Sequence, residues 1–205
     1  MTARRPDAVT LEGTGVRLEP LAPVHLEGLC AVGLDPELWR WTISRVTTPD
    51  EMRQYVEAAL AYRADGSGLA FAILERAGGR VVGSTRYMNI SVRDARLEIG
   101  ATWVARAWQR TFVNTEAKFL LLRHAFEELG FRRVEFKTDA RNARSRAAIL
   151  RLGAAEEGTL RQHAVTATGH VRDTVYFSIL ESEWPAVRAR LEARMAAGDP
   201  GEPLT

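Results

Sequence analysis

The strongest constraint on this chain is a strand, helix, strand succession in its middle. Leu97 to Val104 (LEIGATWV) is apolar on both faces, as a strand buried inside a sheet must be. Thr115 to Leu129 follows, with Phe119, Leu122, Phe126 and Leu129 along one side of a helix and Leu121 and Ala125 beside them. Arg133 to Thr138 then alternates as another strand. A meander of strands that leads into a helix crossover and then into more strands predicts a mixed sheet flanked by helices.

Around that core, Val16 to Leu21 alternates as a short strand and Pro23 to Val32 reads as a helix. Thr48-Pro49-Asp50-Glu51 is a strong helix start, and Asp65-Gly66 a stop. Leu69 to Glu75 (LAFAILE) and Arg80 to Ile90 are strands joined through Ala77-Gly78-Gly79-Arg80, where paired glycines supply the positive φ of a hairpin turn. Asn114 is expected to cap the helix over 115–129, with Gly130 just past its end. Asn142 caps a shorter helix ending at Leu152-Gly153; strands over 154–163 and 170–180 and a helix over 183–195 complete the chain. The expected fold is α+β, a three-layer α/β/α arrangement around a mixed, mostly antiparallel sheet of about seven strands. Residues 1–12 are expected to be loose, 13–195 to form one domain, and 196–205 to be a flexible tail.

At 46% hydrophobic and 26% charged over 205 residues, the chain is ordinary for a globular protein. No run approaches the roughly 18 apolar residues of a membrane helix, and Arg4 and Arg5 are followed by no apolar segment of the secretory kind. The single cysteine, Cys30, excludes an internal disulfide and a thiolate-rich zinc site, and His25, His124, His163 and His170 lack ligand spacing, so no metal is expected. A cytoplasmic protein, with no membrane partner, is the expectation. The net charge is only +2, too small to suggest a nucleic-acid surface. Its carriers are almost all arginine, because Lys118 and Lys137 are the only lysines.

Chemistry is expected where the strand ending at Val104 meets the next helix. Free N–H groups at a helix N-terminus, with Arg106 and Arg110 beside them, form a place for a phosphate-like anion. The alternative is an ordinary strand-to-helix loop.

From about Val16 to Leu191 the chain resembles the GNAT superfamily of acetyl-CoA-dependent N-acetyltransferases, and within it the ribosomal-protein N-terminal acetyltransferases of the RimJ/RimL type. The resemblance is carried by Leu97-Glu98-Ile99-Gly100, Trp108-Gln109, Asn114-Thr115-Glu116-Ala117-Lys118, Lys137 to Ser145, Leu152-Gly153-Ala154, Glu157-Gly158 and Arg172 to Phe177. It implies a splayed strand pair that admits the pantetheine arm of acetyl-CoA, whose amides would meet backbone groups of Thr102, Trp103 and Val104 and the side chain of Asn142. It implies a pyrophosphate loop over Gln109, Arg110, Thr111, Phe112, Val113, Asn114 and Thr115. Arg141, Arg144, Arg146 and Arg151 crowd one helix, so Arg144 or Arg146 is expected to face the nucleotide 3′-phosphate, with a solvated basic face as the alternative. The loop departs from the family pattern, since Phe112 stands where a glycine usually lets phosphate approach the backbone.

The same resemblance implies direct attack of an amine on the thioester. Glu98 is the candidate base, with a structural ion pair as its alternative role. Ser145 is the candidate donor to the leaving thiolate, or else a local helix cap. Trp39, Trp41 and Tyr176 are candidate acceptor contacts, and Tyr176 is also a rival proton donor, with aromatic packing as the alternative for each. The acceptor is expected to be a protein or peptide N-terminal α-amine, the alternatives being a small amine or a CoA-binding module without turnover; the oligomeric state is expected to be monomer or homodimer.

Overall fold

The computed structural model describes residues 2–198. Eight strands form one sheet in the order β1-β2-β3-β4-β5-β6-β8-β7. They are β1 (Leu11–Glu12), β2 (Val16–Pro20), β3 (Leu69–Glu75), β4 (Val81–Ser91), β5 (Arg96–Val104), β6 (Arg133–Asp139), β7 (Ala155–Val165) and β8 (Val171–Leu180). Neighbours run antiparallel except β5 and β6, which are parallel. Five helices flank the sheet: α1 (Leu26–Gly33), α2 (Pro49–Asp65), α3 (Phe112–Arg123), α4 (Ala143–Leu152) and α5 (Trp184–Ala196).

The LAFAILE segment shows how sequence makes the layers. Every residue of β3 is buried. Its large members Leu69, Phe71 and Ile73 join the core beneath α3, α4 and α5, while Ala70, Ala72 and Leu74 face Leu29 of α1 and Met52, Tyr55 and Val56 of α2. Alternation of period two therefore feeds two cores from one strand. Tyr87 follows the same rule from β4: its hydroxyl donates to the Leu121 carbonyl of α3 at 2.7 Å.

Helix ends are set locally. Thr48 accepts from Glu51 N at 3.2 Å while the Glu51 carboxylate accepts from Thr48 N at 3.1 Å, a reciprocal cap on α2. Asn142 accepts from Ser145 N at 3.0 Å to start α4, and Gly153, at φ 102°, ends it.

Three expectations are corrected. The stretch 1–12 is not loose throughout, because Leu11–Glu12 pairs with β2, Ala3 is buried and Arg4 N donates to Leu129 O at 2.9 Å. The third helix begins at Phe112 rather than Thr115, capped by Thr111, whose hydroxyl accepts from Val113 N, so Asn114 lies inside its first turn. It continues beyond Arg123 as a π-turn over His124–Glu128, and Gly130, at φ 70°, releases the chain. The short β1 raises the strand count from seven to eight. Residues 199–205 of the expected tail lie outside the described residues. Among the described residues, no helix is long and apolar enough to cross a membrane.

Candidate active site

Pairing between β5 and β6 runs through Arg96↔Arg133, Leu97↔Val134 and Glu98↔Glu135, then stops. Beyond Glu98 the two parallel strands part, leaving the β6-facing edge of β5 without a partner. A bulge lies there: Arg86 opposes Gly100 and Ser84 opposes Trp103, so β5 holds one extra residue, and Ala101 takes φ 43°. An open edge next to a bulge is where an extended ligand with amide groups can add as a strand.

The parting opens a cleft of about 250 Å³. Thr102, Trp103 and Val104 line one wall, Lys137, Asn142 and Ser145 the other, and Gln109, Arg110, Thr111, Asn114 and Thr115 the mouth. The mouth is held from both sides. Gln109 Nε2 donates to Val104 O at 2.9 Å, and Gln109 Oε1 accepts from Arg144 Nη1 at 2.7 Å. Arg110 adopts φ 59°, turning the chain into α3, whose first-turn N–H groups lack intrahelical acceptors. Arg110, Arg144 and Arg151 bring full positive charge to the same opening.

Phe112 does not obstruct this mouth. Its ring is 41% exposed on the far side of the helix, where it meets Trp108 edge-on at 6.4 Å. A Cβ on Gly15 would stand 2.5 Å from it. The bulky residue in the loop is accommodated by a glycine in the neighbouring β1–β2 turn. Glu116 fastens that turn, accepting from Thr14 N at 2.5 Å and Gly15 N at 3.0 Å. Val113 is fully buried in the core, so only its backbone can serve a ligand.

Deeper in, Glu98 is buried where the strands begin to part. One carboxylate oxygen, Oε2, is engaged by Lys137 Nζ at 2.8 Å and by Asn89 Nδ2 at 2.7 Å. Lys137 also lies 4.6 Å over the Tyr176 ring, and the Tyr176 hydroxyl lies 3.3 Å from His163 Nε2. Burial disfavours the Lys137 charge, but the hydrogen bond and charge of Glu98, with Tyr176 behind, hold its pKa above the usual lysine value.

The other lysine behaves oppositely. Lys118 of α3 is buried in the same cleft, donating to Thr85 Oγ1 at 3.2 Å and to Thr102 Oγ1. Desolvation lowers its pKa to about 7. Sequence reasoning gave Lys118 no role. The available signal was a lysine between Ala117 and Phe119 in a helix turn otherwise apolar.

Several assignments are corrected by position. Trp39 does not face the cleft; it is buried against Tyr55 and Trp103, with Nε1 donating to Gly33 O at 2.8 Å. Arg146 turns toward β7 and pairs with Glu156 at 3.1 Å, whereas Arg144 reaches the cleft. The Asn142 side-chain oxygen is taken by the cap of α4, leaving its amide nitrogen for a ligand. Trp41 does line the cleft, between Arg40 at 4.9 Å and Arg141 at 5.0 Å. The Ser145 side chain faces the cleft, while Tyr176 stands behind Lys137.

This geometry fits acetyl-CoA: an unpaired strand edge for the amides of the arm and a basic helix mouth for its diphosphate. Residues 16–155 match the family described as acetyltransferase (GNAT) domain. The Bacillus subtilis protein named "Putative ribosomal N-acetyltransferase YdaF" is 32% identical over 148 residues, covering 70% of this chain and 72% of that protein. A GCN5-related N-acetyltransferase from Brucella melitensis superposes with a TM-score of 0.88 at 33% identity, covering 96% of this chain and 92% of its own. Mycobacterium smegmatis RimJ, solved with CoA-disulfide, shares the fold at a TM-score of 0.80 and 22% identity, covering 94% and 96%. The chain belongs to the GNAT family of acetyltransferases, and its cofactor is acetyl-CoA.

Proposed function

We propose that the amine acetylated by this enzyme is the N-terminal α-amine of a protein or peptide. The observation that carries this reading is the state of Glu98. With Lys137 and Asn89 both on Oε2, only the other oxygen of Glu98 is left to act as a base. An α-amine, with a pKa of about 7.7–8.0, is already partly neutral at pH 7 and needs little help, whereas a lysine ε-amine near 10.4 needs a stronger one. The name of the Bacillus subtilis relative points the same way.

Acetyl-CoA supplies the activated acetyl group as a thioester. The residues of this chain orient it and manage protons. The backbone N–H of Val104, after the bulge, is the donor for the carbonyl oxygen as it gains charge, because its neighbour Ala105 N donates the other way, to Val82 O of β4. The free oxygen of Glu98, reached through a water, receives the proton of the incoming ammonium, and Lys137 fixes the carboxylate in place through Oε2. Ser145, in the first turn of α4, donates to the sulfur as it leaves. Gln109, Arg110 and Arg144 anchor the diphosphate end, and Asn142 meets the arm through its amide nitrogen. Trp41 contacts the acceptor at the entrance. A cytoplasmic location is part of this proposal, supported by the single free cysteine, Cys30.

The test is a thiol-release assay with acetyl-CoA on paired acceptors: peptides with a free α-amine, the same peptides with the α-amine blocked but a lysine present, and small amines. The α-amine peptides should be turned over with the highest kcat/KM. Turnover confined to side-chain or small amines would refute the reading, as would binding of acetyl-CoA without thiol release on any of them.

A further inference from the structure

We propose that the cavity beside Arg86 is a carboxylate subsite of the acceptor channel, so that the preferred acceptor carries an acidic group near the amine to be acetylated. The proposal rests on the α-amine reading above and names what holds the acceptor's other end.

Arg86, in the middle of β4, is only 6% exposed, yet its guanidinium forms no hydrogen bond or ion pair with any described residue and rests on the Tyr55 ring, 4.7 Å from the centroid. Its Nε and Nη2 are buried and unpartnered, and so is the Tyr55 hydroxyl. Buried guanidinium groups are costly without a counter-charge. Nε and Nη2 form the side edge of the guanidinium fork, the edge that takes a carboxylate in two parallel hydrogen bonds. A cavity of about 130 Å³ adjoins the group, lined by Arg86, Met88, Asn89, Tyr62, Ser67 and Gly68. No described carboxylate fills the role.

The position relates this cavity to the reaction. Arg86 opposes Gly100 and Met88 opposes Glu98, so Arg86 and Glu98 share one face of the sheet, the face covered by α1 and α2. Two positions along a strand are roughly 7 Å apart, about the span from an α-amine to an acidic group one residue further along a peptide. Asn89 joins the two places, lining the cavity while donating to Glu98. An acceptor whose amine is at Glu98 can thus present an acid to Arg86.

Three matched acceptor pairs test this on wild type and Arg86→Met: Asp-Ala-Ala-amide with Asn-Ala-Ala-amide, Ala-Asp-Ala-amide with Ala-Asn-Ala-amide, and alanine with alaninamide. They separate a first-residue acid, a second-residue acid and a free carboxylate. In at least one pair the acid should exceed its amide in kcat/KM by roughly ten- to a hundredfold, the size of one charge-assisted contact. That ratio should fall toward one in Arg86→Met. If that variant does not fold, Arg86→Lys, which keeps charge but loses the fork, should lower the ratio without abolishing it. A second readout needs no turnover: the acid should raise the wild-type melting temperature more than its amide. Equal values for acid and amide in every pair, or a preference that survives loss of Arg86, would overturn the subsite while leaving acetyl transfer intact. An acid-selective melting shift with no acetylation of any amine would instead refute the α-amine reading and keep the subsite.

Discussion

The only two lysines of this arginine-rich chain stand in the walls of one cleft, and they are held in opposite states. Lys137, on β6, meets Glu98 at 2.8 Å and keeps its charge. Lys118, on α3, is buried against two threonine hydroxyls and no carboxylate, and its pKa falls to about 7. Burial acts on both; the counter-ion decides the sign. On the proposed reading, the acceptor side of the cleft therefore holds a fixed ion pair, Lys137 with Glu98, next to the reacting amine. The cofactor side holds an amine that is half neutral near pH 7, able to give hydrogen bonds to the arm without a permanent charge beneath it.

Removing the counter-ion breaks the contrast most severely. Glu98→Gln should lower kcat for an α-amine peptide by about 10²-fold or more if the carboxylate receives the proton. The KM for acetyl-CoA should change little, because Glu98 does not line the cofactor mouth. An unaltered kcat would reduce Glu98 to an ion-pair partner of Lys137.

Lys118→Met sharpens the other side of the contrast. Lys118 has a folded pKa of about 7 against an ordinary 10.5, so between those values the unfolded chain binds more protons than the native one. Stability then rises with pH across that window, and the penalty is full below pH 7. Relative to Lys118→Met, the wild type should gain about 2 kcal/mol between pH 7 and pH 9, read as the change in the stability difference from urea unfolding at each pH. Parallel curves for the two proteins would show that Lys118 has an ordinary pKa.

Why the fold was readable and the site only partly so follows from the range of the forces. LAFAILE, the Thr48 to Glu51 cap and the Leu152-Gly153 stop are decided by neighbours within a few positions, and the structure has them where the pattern puts them. The local pattern puts the start of α3 at Asn114, one good cap, whereas the tertiary position of the loop selects another, Thr111. Trp39 and Trp41 flank Arg40 alike in sequence, but the short 3₁₀ turn over Pro36–Trp39 sends the first into the core and leaves the second at the cleft. The partners of Glu98 come from β4 and β6, about ten and forty residues away, and no local pattern encodes them. Arg86 reads as an ordinary strand arginine until its surroundings are known.

A pair of neighbouring arginines on α4 extends the contrast to the cofactor mouth. Arg144 braces Gln109 and lines the cleft, while Arg146 is tied to Glu156. Arg144→Ala should raise the KM for acetyl-CoA by roughly tenfold, the loss of one charge-assisted contact. Arg146→Ala should stay within about twofold, since exposed ion pairs contribute little. Equal effects would mean that the two share the phosphate.

The smallest effect concerns the residue whose identity most departs from the family. Phe112 occupies the loop position where a glycine is usual, yet its ring packs on Trp108 and the Gly15 turn, with the helix between it and the cleft wall. Phe112→Gly should therefore leave the KM for acetyl-CoA within about twofold. It should also lower stability by about 1 kcal/mol, because a half-exposed ring contact is lost and glycine weakens the first turn of α3. A clear tightening of cofactor binding would show that the ring does enter the mouth, and that the loop, rather than the turn at Gly15, gives way to it.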